Sequence, residues 1–380
     1  MRVVVAIDSF KGSLSSLKAG EAVKEAALAL SNENEVFVRP IADGGEGTVE
    51  ALSVGMGGAL VTACVTGPLF EKVDATYAIL PDGVTAVIEM AAASGITLVP
   101  RERLNPLLTT TYGVGELIKD AIRRGCRRFI VGIGGSATND GGVGMLSALG
   151  YDFLDESGAP IKVTGGGLAS LSSISDKNVP SVLRECSFRV ACDVKNTLCG
   201  ENGCSAVFGP QKGATPDMVK ALDASLSRYA ALSKAVSDKA DENFAGVGAA
   251  GGLGFAFHAF LGGELSSGIG IILEETHLED YVKDADLVVT GEGRLDAQTV
   301  MGKAPIGVAA IAKKHGKPVI AFSGCATREA DVCNDFGIDA FFPIPMGVST
   351  LEEAMREENA FFNLRATAKQ ALRLFYLSHS

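Results

Sequence analysis

The sequence predicts an α/β protein in which both termini form a doubly wound, mostly parallel sheet domain and a second, mixed α/β domain is inserted between them. Three observations lead to this class. Strands and helices alternate at both ends, a β-hairpin pattern interrupts them in the middle, and 380 residues exceed what one hydrophobic core usually serves. We expect one domain from residues 1–72 plus 285–380 and the inserted domain from residues 73–284.

The terminal segments carry the pattern of a parallel sheet. Residues 3–7 are a β-branched run suited to a strand buried on both faces, and apolar residues then recur at helical spacing between Leu14 and Leu30. Further helices are expected at 306–315 and, as a long amphipathic helix, at 351–375. Further strands are expected at 35–39, 285–290, 318–323 and 340–344. Strands that alternate with helices in this way are typical of βαβ units.

The middle of the chain has a different pattern. Two alternating segments between residues 73 and 89 flank Pro81-Asp82-Gly83, a signature of a hairpin turn. Helices and strands are mixed in the rest of this region, with helices expected at 114–123 and 218–236 and strands at 129–133 and 188–191. This mixture favours a second domain with a sheet of its own.

The composition excludes several classes of protein. The net charge is −11 and no basic face is concentrated in the sequence, so we expect no nucleic-acid partner. The longest uncharged stretch, 243–263, contains seven glycines, which favours a buried loop and helix over a membrane span. The eight cysteines form no C-x-x-C pair, and the N-terminal apolar run is too short for a signal peptide. We therefore expect reduced thiols and a cytoplasmic protein.

Glycine and acidic residues recur together just after predicted strands. Asp8-Ser9-Phe10-Lys11-Gly12-Ser13 follows the first strand and opens a helix, where free backbone N–H groups favour an anion and Lys11 adds a positive charge. The spacing of a Walker A loop is absent. For this loop alone, a plain helix start capped by Ser13 or Ser15 is an equal alternative.

A second such segment, Asp43-Gly44-Gly45-Glu46-Gly47-Thr48, follows the second strand. The carboxylates of Asp43 and Glu46 have the oxygen chemistry that suits Mg²⁺ or a substrate hydroxyl. Taken alone, however, the segment is explained better by an ordinary turn and a helix start.

The strongest local signal is the segment 132–142, in which five of eleven residues are glycine. Glycine permits backbone conformations in which successive N–H groups converge on an anion, and Ser136, Thr138 and Asn139 add neutral donors. A complete dinucleotide-binding fingerprint is missing, because Ala137 stands where the third glycine would be. So many polar groups favour a functional loop over a purely structural turn.

Two further segments end predicted strands. Asp193 follows the strand at 188–191, and Gly291-Glu292-Gly293-Arg294-Leu295-Asp296 is expected as a glycine loop after the strand at 285–290. The carboxyl edge of an open α/β sheet is where ligands bind. The Arg294 guanidinium suits a carboxylate or phosphate, although a salt bridge to Glu292 or Asp296 is an alternative.

These segments have in common that they suit an anionic, oxygen-rich ligand. Phosphoryl transfer fits them, because in that chemistry the protein mainly positions groups and neutralises charge. The reaction needs a phosphate cradle, a cation such as Lys11, acids for Mg²⁺ and a carboxylate near the acceptor hydroxyl. We expect the active site in a cleft between the two domains, where closure excludes water.

Six segments resemble, in the same order, those of the type-1 glycerate kinase family of bacteria: DSFKGS (8–13), ADGGEGT (42–48), GGSATND (134–140), GPQKG (209–213), GAAGGLG (248–254) and TGEGRLD (290–296). One departure is Thr197, where the family usually has proline. The resemblance implies an ATP-dependent kinase that phosphorylates D-glycerate, generally to 2-phosphoglycerate. It also implies a two-domain α/β fold unrelated to P-loop kinases.

Roles for individual residues follow as hypotheses. We expect the phosphates of ATP at Lys11, Gly12, Ser13, Gly134, Gly135 and Ser136. The catalytic candidates are Asp193 and then Asp8 for the carboxylate near the acceptor hydroxyl, with Lys11 as cation. Glycerate is expected at Arg294, Asn139 and Asp140, and Mg²⁺ at Asp43, Glu46 and Glu292. Glycerate is thus the expected small-molecule partner, without nucleic acid or membrane, and a homo-oligomer is left open.

Two other classes of protein stay open at this point. A nicotinamide-dependent oxidoreductase acting on a small hydroxy acid is suggested by the βαβ ends, but the missing fingerprint weighs against it. A non-catalytic sensor of a sugar acid would use the same loops and would release no ADP.

Overall fold

The computed structural model describes residues 1–42, 44–45 and 47–377. It is an α/β structure whose strands fall into two main sheets and one small two-stranded sheet. In chain order the strands are β1 (Arg2–Ile7), β2 (Glu35–Val38), β3 (Ala59–Thr66), β4 (Lys72–Ile79), β5 (Thr85–Glu89), β6 (Arg128–Gly132), β7 (Asp152–Leu154), β8 (Ser173–Ser175), β9 (Ser187–Ala191), β10 (Glu264–Ser266), β11 (Leu287–Leu295), β12 (Val319–Ala326) and β13 (Ala340–Pro343).

The α-helices lie between these strands and after the last one. In chain order they are α1 (Ser16–Leu28), α2 (Thr48–Met56), α3 (Ala91–Ser94), α4 (Tyr112–Arg123), α5 (Val143–Ala148), α6 (Cys204–Phe208), α7 (Pro216–Ser233), α8 (Ala249–Leu261), α9 (Gly268–Glu275), α10 (Leu278–Val282), α11 (Ala304–Lys314), α12 (Val332–Asp335), α13 (Leu351–Met355) and α14 (Glu357–Leu377).

The first compact unit comprises Met1–Asp43, Glu50–Gly57 and Ile269–Ser380. Its sheet has the order β13-β12-β11-β1-β2, and every neighbouring pair is parallel. Apolar residues of β1 and β11 pack with α1 and α14 on one face. Val4 and Val288, which point to the other face, are also fully buried, and α11 packs on β11. Burial on both faces explains the continuous apolar runs in these strands.

The second compact unit comprises Gly44–Val49 and Gly58–Gly268. Its main sheet has the order β10-β9-β6-β5-β4-β3. The first four strands of that order are parallel, whereas β4 pairs antiparallel with both of its neighbours. The core of this unit joins apolar side chains of the sheet to those of α4, α5, α7 and α8.

The predicted fold class is confirmed, because both termini contribute to a parallel sheet and a mixed α/β unit is inserted between them. The unit boundaries differ from the expected ones. The second unit takes in Gly44–Val49, and its long segment begins at Gly58 rather than at 73, since β3 pairs with β4 along its whole length. It ends at Gly268 rather than at 284, and α10 packs on α11 of the first unit.

Two predicted elements have a different form. The segment 291–296 was expected as a loop, but β11 continues to Leu295 and remains paired with β12. The C-terminal helix is divided, because Arg356 has an extended backbone with ψ 130° between α13 and α14. Within the part of the chain that the structure describes, no helix is both long and apolar enough to cross a membrane.

Candidate active site

At β1 the strand order of the first sheet reverses, which makes the carboxyl end of β1 a topological switch point. From β1 the chain goes to β2 on one side, and β11 later pairs with the other side. In open α/β sheets, ligands bind at such a point. The Asp8 N–H donates to the Gly291 carbonyl at 2.9 Å, so the segments 8–13 and 291–296 lie side by side at this edge.

The loop 8–13 combines an exposed cation with a tightly turned backbone. Lys11 is exposed, and Gly12 has a φ of +76°, a conformation that favours glycine. The N-cap of α1 is Ser15, whose Oγ accepts from the Lys18 N–H at 3.4 Å. This contact matches one of the two capping alternatives. The Ser13 Oγ is buried and has no hydrogen-bond partner among the described residues, so it remains available to a ligand.

Glu292 is a buried carboxylate at the same edge, with only 8% of its surface exposed. Its Oε1 accepts from the Thr299 Oγ at 2.7 Å, and its Oε2 lies 3.7 Å from the Lys303 Nζ. Burial raises the pKa of the Glu292 carboxyl, against the lowering effects of Thr299, Lys303 and Lys11. Such a carboxylate can hold a cation or accept a proton.

Arg294 lies two residues further along β11 and is exposed. Its Nε is 3.3 Å from the Oδ2 of Asp296, so one of the two alternative salt bridges is present. The Arg294 side chain is itself 63% exposed, so water screens this ion pair and the guanidinium can exchange Asp296 for an anionic ligand.

The second unit also gathers polar groups at one edge of its sheet. Parallel strands β5, β6 and β9 end at Glu89, Gly132 and Ala191, which face one another in register. The 132–142 loop and Asp193 therefore start from the same edge. Gly134 and Gly135 are exposed there, and Gly135 has a φ of +73°. Exposed backbone N–H groups in this conformation suit an anion.

Asn139 and Asp140, which were expected to contact the substrate, are fully buried. Both Asp140 oxygens are occupied: Oδ2 accepts from the Thr111 N–H and Oγ at 2.8 Å each and from the Gly144 N–H at 3.3 Å, and Oδ1 accepts from the Gly142 N–H at 3.1 Å. The Asn139 Nδ2 donates to the Ser205 Oγ at 2.8 Å. In this structure the two side chains order the loop and do not reach its surface.

The 248–254 segment packs against the buried part of the 132–142 loop. Gly251 and Gly252 have φ values of +66° and +88°, and the Gly141 N–H donates to the Gly251 carbonyl at 2.9 Å. A Cβ on Gly251 would lie 2.1 Å from the Thr138 carbonyl oxygen. Only glycine permits this approach of the two backbones.

Lys212 is a buried cation to which sequence reasoning gave no role. It is 1% exposed, and its Nζ donates to the Ser136 Oγ at 2.7 Å and to the Thr138 carbonyl at 2.6 Å. The only signal in the sequence was its place in the GPQKG segment. Its partner Ser136 is 76 residues away, so the local sequence does not reveal the contact.

Asp193 lies just beyond β9. Its Oδ1 accepts from the Ser267 Oγ and the Gly268 N–H, at 3.0 Å each. Gly44 packs beside this pair, because a Cβ there would lie 2.7 Å from the Cα of Gly268 and 2.7 Å from the Cβ of Ala191. Gly44 thus borders the edge of the sheet from which Asp193 extends.

The three predicted metal ligands have different outcomes. Glu292 is placed as described above, whereas Asp43 and Glu46 lie outside the described residues. Within residues 1–42, 44–45 and 47–377, no group of three or more His, Cys, Asp and Glu side chains is arranged to hold a metal ion. Mg²⁺ often needs only one or two protein carboxylates when phosphates and water complete its shell, so Glu292 still fits that chemistry.

Loops suited to anions follow strand ends in one parallel and one mixed sheet, and this arrangement is typical of α/β proteins that bind phosphorylated or carboxylated ligands. The family model for the glycerate kinase family matches residues 3–376. The glycerate kinase of Haemophilus influenzae is 50% identical over 374 residues, covering 98% of each chain. The glycerate 2-kinase of Escherichia coli is 48% identical over 356 residues, covering 94% of this chain and 93% of its own.

A solved crystal structure from Salmonella typhimurium LT2 has the same fold, with a TM-score of 0.92 and 46% identity over 100% of this chain and 99% of its own. The chain therefore belongs to the glycerate kinase family, as the resemblance predicted. Membership makes it a kinase acting on an alcohol group.

Proposed function

We propose that the protein transfers the γ-phosphoryl group of ATP to a hydroxyl of D-glycerate and releases ADP and 2-phosphoglycerate. The observation that carries this proposal is the family match along almost the whole chain. The name of the Escherichia coli relative, glycerate 2-kinase, supports the 2-phosphoglycerate product. Family membership also disfavours the oxidoreductase and the non-catalytic sensor.

Two loops supply the contacts proposed for phosphate groups. Lys11, Gly12 and Ser13 offer a positive charge, an open backbone and a hydroxyl, and the 134–136 turn offers exposed backbone N–H groups. Groups of this kind stabilise the negative charge of a transferring phosphoryl group.

For the acceptor we propose that Arg294 binds the glycerate carboxylate, because its guanidinium is exposed and forms an ion pair with a single oxygen of Asp296. The acceptor hydroxyl oxygen forms a bond to the γ-phosphorus as the bond to the bridging oxygen of ADP breaks. Asp193, or else Asp8, would accept the hydroxyl proton. The donors that already bind one oxygen of Asp193 hold it in a fixed orientation.

Mg²⁺ would neutralise charge on the phosphates, and Glu292 is the described residue proposed to hold it. Asp43 and Glu46 remain candidates on sequence grounds alone. We also propose that the reaction takes place in the cytoplasm. In support, all eight cysteines, each of which is within the described residues, are free thiols, as expected where thiols are kept reduced.

The test is a coupled assay of ADP release with a panel of small hydroxy acids, with ATP and Mg²⁺ supplied. We expect release with D-glycerate, and phosphorus NMR of the product then shows which oxygen carries the phosphate. Glycerate binding without ADP release would indicate the sensor. Phosphate on the hydroxyl oxygen of the terminal CH2OH group would contradict 2-phosphoglycerate as the product but would still show kinase activity.

A further inference from the structure

The position of Lys212 is tightly determined by the backbone around it. Lys212 ends a short turn of 3-10 helix, Pro210–Lys212, and Gly213 follows with a φ of +90°. A Cβ on Gly213 would lie 2.2 Å from the Leu104 carbonyl oxygen, so the chain packs closely here. The Lys212 side chain is buried beneath this turn and is 1% exposed.

The charge of Lys212 is buried against neutral partners. Its two hydrogen-bond acceptors are a hydroxyl and a backbone carbonyl. The titratable groups that act on it are Cys204 and Asp140, and the Asp140 oxygens are already bound by backbone and hydroxyl donors. A buried ammonium without a bound carboxylate is costly, unless a ligand anion offsets its charge.

The direction of the hydrogen bond to Ser136 determines what Ser136 can do. An ammonium group only donates, so the Ser136 Oγ accepts from Lys212 and its own O–H is free to donate elsewhere. Ser136 keeps 8% of its surface exposed, and the two residues before it, Gly134 and Gly135, are exposed. The hydroxyl and those backbone N–H groups can donate to one anion.

We propose that Lys212 is a positioning residue that makes the 134–136 turn a binding site for an anionic oxygen ligand of the phosphate class, by orienting the Ser136 hydroxyl and supplying a buried positive charge. The inference rests on the proposed function for the identity of the natural ligand. Burial lowers the pKa of Lys212 to about 8, so a modest change in its surroundings can change the fraction of Lys212 that is protonated near neutral pH.

The test is a titration of the full-length protein with inorganic phosphate, followed through the amide NMR signals of Gly134 and Gly135. The variants are Lys212→Met, Ser136→Ala and the double variant. Lys220→Met, an exposed lysine on α7, is the matched control for the loss of one charge in the same unit. Circular dichroism verifies that each variant is folded.

We expect Lys212→Met to weaken phosphate binding by about tenfold or more, the size expected for a charge-assisted hydrogen bond. Ser136→Ala should weaken it as well, and the double variant should be within about twofold of Lys212→Met, because the two residues act as a unit. Lys220→Met should bind phosphate like the unaltered protein. If Lys212→Met does not fold, Ser136→Ala decides in the same way.

Three results would overturn the inference: no phosphate-dependent shift of the Gly134 and Gly135 signals in the unaltered protein, equal binding by Lys212→Met, or equal binding by Ser136→Ala. In the kinase assay, Lys212→Met should raise the KM of an anionic substrate, whereas a purely structural defect lowers kcat alone. Phosphate binding that depends on Lys212 in a protein that releases no ADP would refute the proposed function and leave this inference standing.

Discussion

Lys212 should make the second unit more stable as the solution becomes alkaline. Its pKa is lowered from 10.5 to about 8 by burial. Between those two values the unfolded chain holds a proton that the folded chain has lost, so the free energy of unfolding rises with pH over this range. The whole shift corresponds to about 3 kcal/mol.

The assay is urea denaturation of the unaltered protein and Lys212→Met at several pH values from 7 to about 10.5, followed by circular dichroism. Groups common to both proteins cancel in the difference between their free energies of unfolding. We expect this difference to move in favour of the unaltered protein by up to about 3 kcal/mol above pH 8. A difference that is constant with pH, or that changes in the opposite direction, would contradict the lowered pKa of Lys212.

Four further substitutions test the two sheet edges. Lys11→Ala should lower kcat by about two orders of magnitude if its charge stabilises the transferring group, as measured by ADP release. Arg294→Lys should raise the KM for glycerate several-fold, because a lysine cannot replace the planar fork. Asp140→Ala leaves its buried donors unpaired and should lower the free energy of unfolding by about 3 kcal/mol, as measured by urea denaturation. Gly291→Ala places a Cβ 2.1 Å from the Phe322 carbonyl oxygen and should destabilise the protein by about 2 kcal/mol in the same measurement.

Matched controls exist for each change. Lys24→Ala and Arg373→Lys alter exposed residues of α1 and α14 and should leave the kinetics unchanged. Asp74→Ala removes an exposed carboxylate of β4. Gly293→Ala meets its nearest atom at 3.5 Å, an ordinary contact, and should be tolerated. Equal effects of a test variant and its control would contradict the role assigned to the test residue.

Local patterns were sufficient for much of the fold. The β-branched run of β1 and the turn at Pro81-Asp82-Gly83 each predict a strand or hairpin that the structure contains. The glycines of 291–296 were misleading, because glycine is common in loops but here serves a strand. Gly291 lies against the backbone of β12, where a side chain would collide. Such an approach depends on a partner strand that local sequence does not reveal.

The candidate site shows a similar division. Positions after strands directed attention to Asp8, Glu292 and the 132–142 loop, which the structure places at the carboxyl ends of strands, and their roles stay predictions. The internal role of Asp140 could not be predicted, because its partner Thr111 is 29 residues away. Lys212 was missed for the same reason, since a lysine in a polar turn is ordinarily exposed and only the folded loop shows what surrounds it.

The discontinuous make-up of the first unit has a consequence for synthesis on the ribosome. Strand β1 pairs with the central strand β11, and α1 packs on α14, although both partners are translated after residue 268. The inserted unit is complete in the nascent chain before then. The inserted unit can therefore fold first. Until β11 and α14 are synthesised, the apolar faces of β1 and β2 stay exposed, and we expect chaperones to bind these two segments.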